Sequence, residues 1–283
     1  VAESIGRSVS HYFQKRRILS LLITVAVIVF LGLFLKRQDD LLHRATFSSG
    51  YLLILGIFFL AAFNVRKKLS FLPLGSATTW LQLHIYVSLV VIAVFVMHVE
   101  ARLPSGPFET VLFTLFVLVA SSGVYGLIIT RRIPRQITKL REEVVYERIP
   151  ALRTEVANRA HAVVRELLAG ADAEALTDYY SESLIPYFAG NRGLLYYVRP
   201  SSRKRNQLQS DLSSLIRYES AAERAAQQKL RQLIDKRDDL DYHEAQQRKL
   251  KTWLFGHVAM TYALLIASVF HAVLVHAFWG LGR

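Results

Sequence analysis

Two stretches decide how this chain folds: LHIYVSLVVIAVFVMH, residues 83–98, and HVAMTYALLIASVFH, residues 257–271. Neither contains a charged side chain, and each carries two histidines, His84 and His98 in the first, His257 and His271 in the second. Runs this apolar are at home in hydrocarbon, and an ionisable residue kept inside one is expensive enough to point to function. The rest of the chain agrees with that solvent. Hydrophobic residues make up 52% of 283, and the mean hydropathy is +0.27, a balance that soluble domains of this size rarely reach.

Working outward, five segments are long and apolar enough to span a bilayer: Ile18 to Leu35, Ala45 to Val65, Trp80 to Val99, Phe108 to Thr130 and Trp253 to Trp279. About 20 residues at 1.5 Å each cross a hydrocarbon core of roughly 30 Å. The first follows Lys15, Arg16 and Arg17 as a signal peptide would, but it is too long and lacks a small-residue cleavage site, so it reads as an anchor. The formal charge of +13 is explained by topology before nucleic acid. Lys15–Arg17, Arg66–Lys68 and the group Arg131, Arg132 and Arg135 fall on one side if the spans alternate, and that side is the cytoplasm. Lys36, Arg37 and Arg44 lie on the other side, partly offset by Asp39 and Asp40. The N-terminus is then inside, Arg283 outside, and the setting expected is a bacterial inner membrane. Cysteine is absent, which removes disulfides, thiolate metal sites, iron–sulfur clusters and c-type haem attachment.

The fold class expected is an all-α membrane protein of five transmembrane helices with a cytoplasmic α-helical hairpin inserted between the fourth and fifth. Residues 1–130 hold four spans, 131–251 the insertion, and 252–283 the last span. Within the insertion, Ile137 to Leu168 has helical spacing broken at Pro150. Tyr179, Tyr180, Pro186, Gly190, Gly193, Tyr196, Tyr197 and Pro200 mark a loop. Asn206 to Lys251 lacks Gly and Pro, and Leu208, Leu212, Leu215, Leu230, Leu233 and Leu240 recur among charges. That pattern predicts one long helix feeding the fifth span and packing back on the first helix of the insertion.

The histidines carry the chemistry. Fourteen positions bring a helix round to within about 40° of its starting direction and about 21 Å along its axis. Each pair therefore shares one face, with one ring near each membrane surface. If the third and fifth spans run in the same direction, His84 is level with His257 and His98 with His271. Haem iron takes two axial ligands on opposite sides of a planar ring, and neutral imidazole suits it. The spacing predicts two haem b groups, held by His84/His257 and His98/His271. A single histidine in an apolar helix is more often a packing residue, but two matched pairs are a different matter. Zinc and copper need ligands clustered more tightly than this. Met97 points about 100° away from His98 and reads as packing, and His276 as an interfacial residue.

Other signals are weaker. Ser121, Ser122, Gly123 and Gly126, and Gly256 beside His257, suit either a macrocycle or a neighbouring helix. Haem propionates need cations: Arg66, Lys67, Lys68, Arg131, Arg132 and Lys251 are available inside, Arg44 and Arg102 outside. His161 and His243 read as solvated residues on charged helices, and the basic run Arg203–Arg205 suits anionic lipid or an acidic partner rather than nucleic acid. Glu100, Arg102 and His276 sit where a quinone would need a proton acceptor, although an ordinary loop explains them as well.

Two spans each reading His, thirteen residues, His resemble the di-haem b-type cytochromes, most closely the ferric reductase and NADPH oxidase transmembrane domain. The resemblance implies electron transfer across the bilayer through the four histidines, and it does not cover the insertion. Quinol-oxidising cytochromes b share the spacing. No Gly-x-Gly-x-x-Gly or P-loop motif is present, so a nicotinamide-oxidising end is not implied. The expected role is the membrane subunit of a larger redox complex. Its partners would be membrane lipid, a c-type cytochrome outside, and a flavin or iron–sulfur protein inside. Two other readings stand beside it: a quinol-oxidising or quinone-reducing anchor subunit, and a non-redox scaffold whose helical arm recruits partners.

Overall fold

The computed structural model describes residues 2–40, 45–66, 75–100, 102–137, 144–169, 174–214 and 221–278. Ten α-helices and no strand occur among them. Lys67, Lys68, Arg44 and Leu215 lie outside the described residues.

Among the described residues, five helices are long and apolar enough to cross a membrane. They are α1 (Ala2–Asp40), α2 (Ala45–Arg66), α3 (Ala77–His98), α4 (Pro107–Ile137) and α10 (Ala221–Phe278). Their outward surfaces are apolar: Phe30, Leu33, Leu55 and Ile266 are each at least 64% exposed, which water would not favour and lipid would. Helix α3 starts at Ser76, whose hydroxyl accepts from the Thr79 amide at 3.1 Å. It ends at His98 because Glu100 takes a left-handed φ of 48°.

The chain divides into two compact units. The first is Val1–Tyr125 with Phe255–Arg283. Its core joins Leu53 and Ile57 of α2, Val91 and Val94 of α3, Phe116 of α4 and Leu264 of α10.

The second unit is Gly126–Leu254. Its helices are α5 (Ile149–Leu168), α6 (Glu174–Tyr179), a π-helical turn Tyr180–Leu184, α7 (Ile185–Ala189), α8 (Leu194–Val198) and α9 (Arg203–Ser214). Helix α5 runs antiparallel to the first half of α10, with Arg153 meeting Asp241 and Glu166 meeting Lys229. Pro150 lies in its first turn, where a missing N–H costs nothing. The 206–251 stretch is not one helix: α9 folds back on α10, with Gln209 bonded to Asp235 and Gln227 to the Leu212 carbonyl. The aromatic segment 179–200 is mostly short helices rather than loop, because Tyr180, Leu184, Tyr187 and Phe188 enter the core with Leu208, Leu212, Leu230 and Ile234. His243 is also buried, at 1% exposure, instead of solvated.

Along α10 the buried stripe passes from Leu230 and Ile234 to Arg237 and Asp241. Asp241 alone takes the guanidinium groups of Arg153, Arg192 and Arg237, and Arg192 reaches Asp238 at 3.1 Å as well. Burial pushes the Tyr187 phenol far above its ordinary value, so it stays protonated beside Arg192.

Candidate functional site

All four histidines of the two opening stretches belong to the first unit, on α3 and α10. Each is half-buried. His84 lies close enough to His257 for a charge on one ring to act on the other. His98 stands in the same relation to His271.

The surroundings of one ring in each pair are built alike. Ser49 Oγ lies 2.8 Å from His98 Nδ1, and Ser122 Oγ lies 3.2 Å from His257 Nδ1. The next residue in each case is a glycine beneath the ring. A Cβ on Gly50 would stand 3.4 Å from His98 Cε1, and one on Gly123 would stand 3.7 Å from His257 Cε1. Both contacts come from the tripeptide Ser-Ser-Gly, at 48–50 on α2 and 121–123 on α4. The Ser49 hydroxyl donates to the Thr46 carbonyl and so accepts from His98 Nδ1, leaving Nε2 of that ring free for a ligand, which is how metal-bound histidines are usually oriented.

The other two rings are held by aromatics. Phe63 lies 5.2 Å from His84, and Phe108 stacks on His271 at 6.1 Å and 25°. Among the described residues, His84 Nδ1 is buried without a hydrogen-bond partner.

His98 and His271 line one cavity of about 480 Å³, walled by Ile57, Phe95, Phe113 and Phe116. That is the size and character of a cofactor site, about 300–1,000 Å³ with mostly apolar walls. Arg102 and His276 reach the same cavity. Arg102 is exposed and pairs with Glu100 at 3.1 Å. His276 Nδ1 lies 2.7 Å from the Ala272 carbonyl, and its Nε2 lies 2.6 Å from the Tyr51 hydroxyl. A carbonyl can accept but not donate, so Nδ1 carries the proton and Tyr51 donates to Nε2. Both ring nitrogens of His276 are therefore engaged, and it is not a third ligand of the same kind.

The small residues separate by role. Gly123 belongs to His257, whereas Gly126 seats the Trp253 ring, whose Cζ2 would come within 1.7 Å of an added Cβ. Gly256 faces open space. Met97 packs near Gly32 of α1. In the second unit, Lys251 is taken by Glu147 at 3.0 Å and lies over the Tyr146 ring, while Arg131 and Arg132 are exposed. Among the described residues, no three His, Asp or Glu side chains converge as a metal cluster; axial haem ligation needs only two protein ligands per iron. The donor set and the glycine cradles fit haem.

No family model, curated protein or solved structure matches this chain.

Proposed function

We propose that this chain is a membrane cytochrome b subunit that carries electrons across the bilayer through two haem b groups. His84 and His257 would hold one, and His98 and His271 the other. The observation that carries the reading is the second pair: two imidazoles on different helices lining one apolar cavity. When bound, haem supplies reversible one-electron chemistry that no side chain here offers. The protein's own part is to bind and orient. Ser49 donates its hydroxyl to the Thr46 carbonyl and so accepts from His98 Nδ1–H, which leaves Nε2 of that ring as an electron-pair donor, while Ser122 fixes the rotation of the His257 ring. Phe95, Phe113 and Phe116 give the cavity apolar walls, and Arg102 among its lining suits a carboxylate.

The orientation that best fits the basic residues places the N-terminus and the second unit in the cytoplasm of a bacterial cell. The resemblance to ferric reductase and NADPH oxidase membrane domains supports the same role. Partners would be a soluble or membrane-bound donor on one side and an acceptor on the other. A flavin or iron–sulfur protein inside and a c-type cytochrome outside fit that scheme.

One observation favours a second reading, exchange with a quinone: the Tyr51–His276 pair offers a proton-handling group at the cavity. A dithionite-reduced minus oxidised visible spectrum of purified protein tests the main proposal. A b-type α-band supports it, and reduction by a quinol analogue would add the quinone reading. A colourless protein, made with haem in supply, would leave the helical scaffold in front.

A further inference from the structure

The Tyr51–His276 pair of the first unit has a fixed polarity. His276 Nδ1 lies 2.7 Å from the Ala272 carbonyl, which only accepts, so the ring proton sits there and Nε2 is an acceptor. The Tyr51 hydroxyl, 2.6 Å from Nε2, must supply the proton of that bond. A phenol has one O–H to give, and this one is spent on His276. What Tyr51 still offers is an oxygen lone pair, and among the described residues no protein group donates to it. The pair meets a ligand as a hydrogen-bond acceptor.

Its place in the cavity restricts the ligand. Tyr51 is 56% exposed and His276 is exposed as well, whereas His98 and His271 of the same cavity are half-buried. The pair stands at the mouth. Leu103 and Val275 line the cavity and are themselves exposed, and Phe47 meets the His276 ring edge-on at 5.8 Å. Apolar and aromatic sides around one acceptor oxygen suit an apolar ring that carries a hydroxyl. A quinone, whose carbonyls only accept, would set lone pair against lone pair at Tyr51.

We propose that the cavity mouth binds the hydroquinone form of a quinone couple in preference to the quinone, with a ring hydroxyl donating to Tyr51. His276 is the positioning residue: by taking the Tyr51 proton it makes that oxygen an acceptor. This rests on the quinone reading given above as the second function and adds which redox state is held.

Three probes that do not reduce the protein separate the terms: tetramethyl-1,4-benzoquinone, the monomethyl ether of its hydroquinone with one O–H, and the dimethyl ether with none. Equilibrium dialysis against the oxidised full chain should show the monomethyl ether binding about tenfold tighter than the other two. Tyr51→Phe should bring all three within about twofold. His276→Ala frees the Tyr51 hydroxyl to donate, so the quinone should tighten about fivefold while the monomethyl ether holds its affinity. A merely structural role of His276 would weaken all three together. Wild-type protein that binds quinone as tightly as the monomethyl ether overturns the proposal and leaves the quinone reading standing. Binding of none of the three overturns both, and the visible spectrum still decides the haem reading. A preference that survives Tyr51→Phe, or a quinone affinity unmoved by His276→Ala, takes the role from the pair and also overturns the proposal.

Discussion

The two units handle buried polarity in opposite ways. In the second, one fully buried carboxylate, Asp241, is surrounded by Arg153, Arg192 and Arg237, and Arg237 also donates to the Gly190 carbonyl at 2.6 Å. Opposite charges face one another there, although among the described residues Nε of Arg153 and of Arg237 is buried without a hydrogen-bond partner. In the first unit the buried hydroxyl of Thr24 returns to its own helix, bonding the Ser20 carbonyl at 2.8 Å. The histidines differ: like faces like, and the tied nitrogen of His98 or His257 leaves the other as a donor pair without an acceptor. One interior is organised by opposite charges, and the other by neutral hydroxyls, imidazoles and aromatic rings.

The largest effect should come from breaking the charged side. Asp241→Ala leaves three arginines facing one another and should destabilise the second unit by about 3–5 kcal/mol. Hydrogen exchange of residues 149–168 and 230–245 would then collapse, while the spans 77–98 and 257–278 keep their protection. Uniform loss across both units would break the comparison.

Ser49→Ala should act on the other side alone. Losing the partner of a ligating imidazole weakens metal binding about 10–100-fold, so the haem at His98/His271 should dissociate more readily in a transfer assay to apomyoglobin. Ser122→Ala should do the same for the His84/His257 pair. Equal effects of both variants on both haems would separate the Ser-Ser-Gly tripeptides from the rings they contact.

A packing change should be smaller. Gly126→Ala forces the Trp253 ring from its seat and should cost about 1–3 kcal/mol in denaturant unfolding. The smallest effect belongs to Glu147, whose hydrogen bond to Lys251 holds its carboxyl below the usual range. Its contribution is present above the ordinary carboxylate pKa and is lost as pH falls through the lowered one. Glu147→Gln should therefore flatten that slight acid dependence and leave stability at neutral pH within error.

The spans and the four histidines were legible because hydropathy and helical period are local properties. The ring supports were not. Ser49, Gly50, Tyr51 and Phe63 lie on α2, and small or aromatic residues on an apolar helix carry no periodic mark that separates cofactor contact from packing. The recurrence of Ser-Ser-Gly on the second and fourth spans was the available signal. In the second unit, the absence of Gly and Pro over 206–251 suggested one helix, because leucine spacing cannot reveal that α9 turns back to cover Leu230 and Ile234. His243 reads as solvated for a similar reason: its neighbours in sequence are charged, but Asp241 and Glu244 are consumed by Arg153 and the face they share is buried.

The central claim is most directly tested by haem content per chain, measured as pyridine haemochrome, for the wild type and for each of six single histidine-to-alanine variants. The account predicts two haems in the wild type and about one after His84→Ala, His98→Ala, His257→Ala or His271→Ala, since an axial ligand is lost from one site only. His276→Ala and His161→Ala should retain two. Full haem content in any of the first four, or loss in His161→Ala, would contradict the pairing.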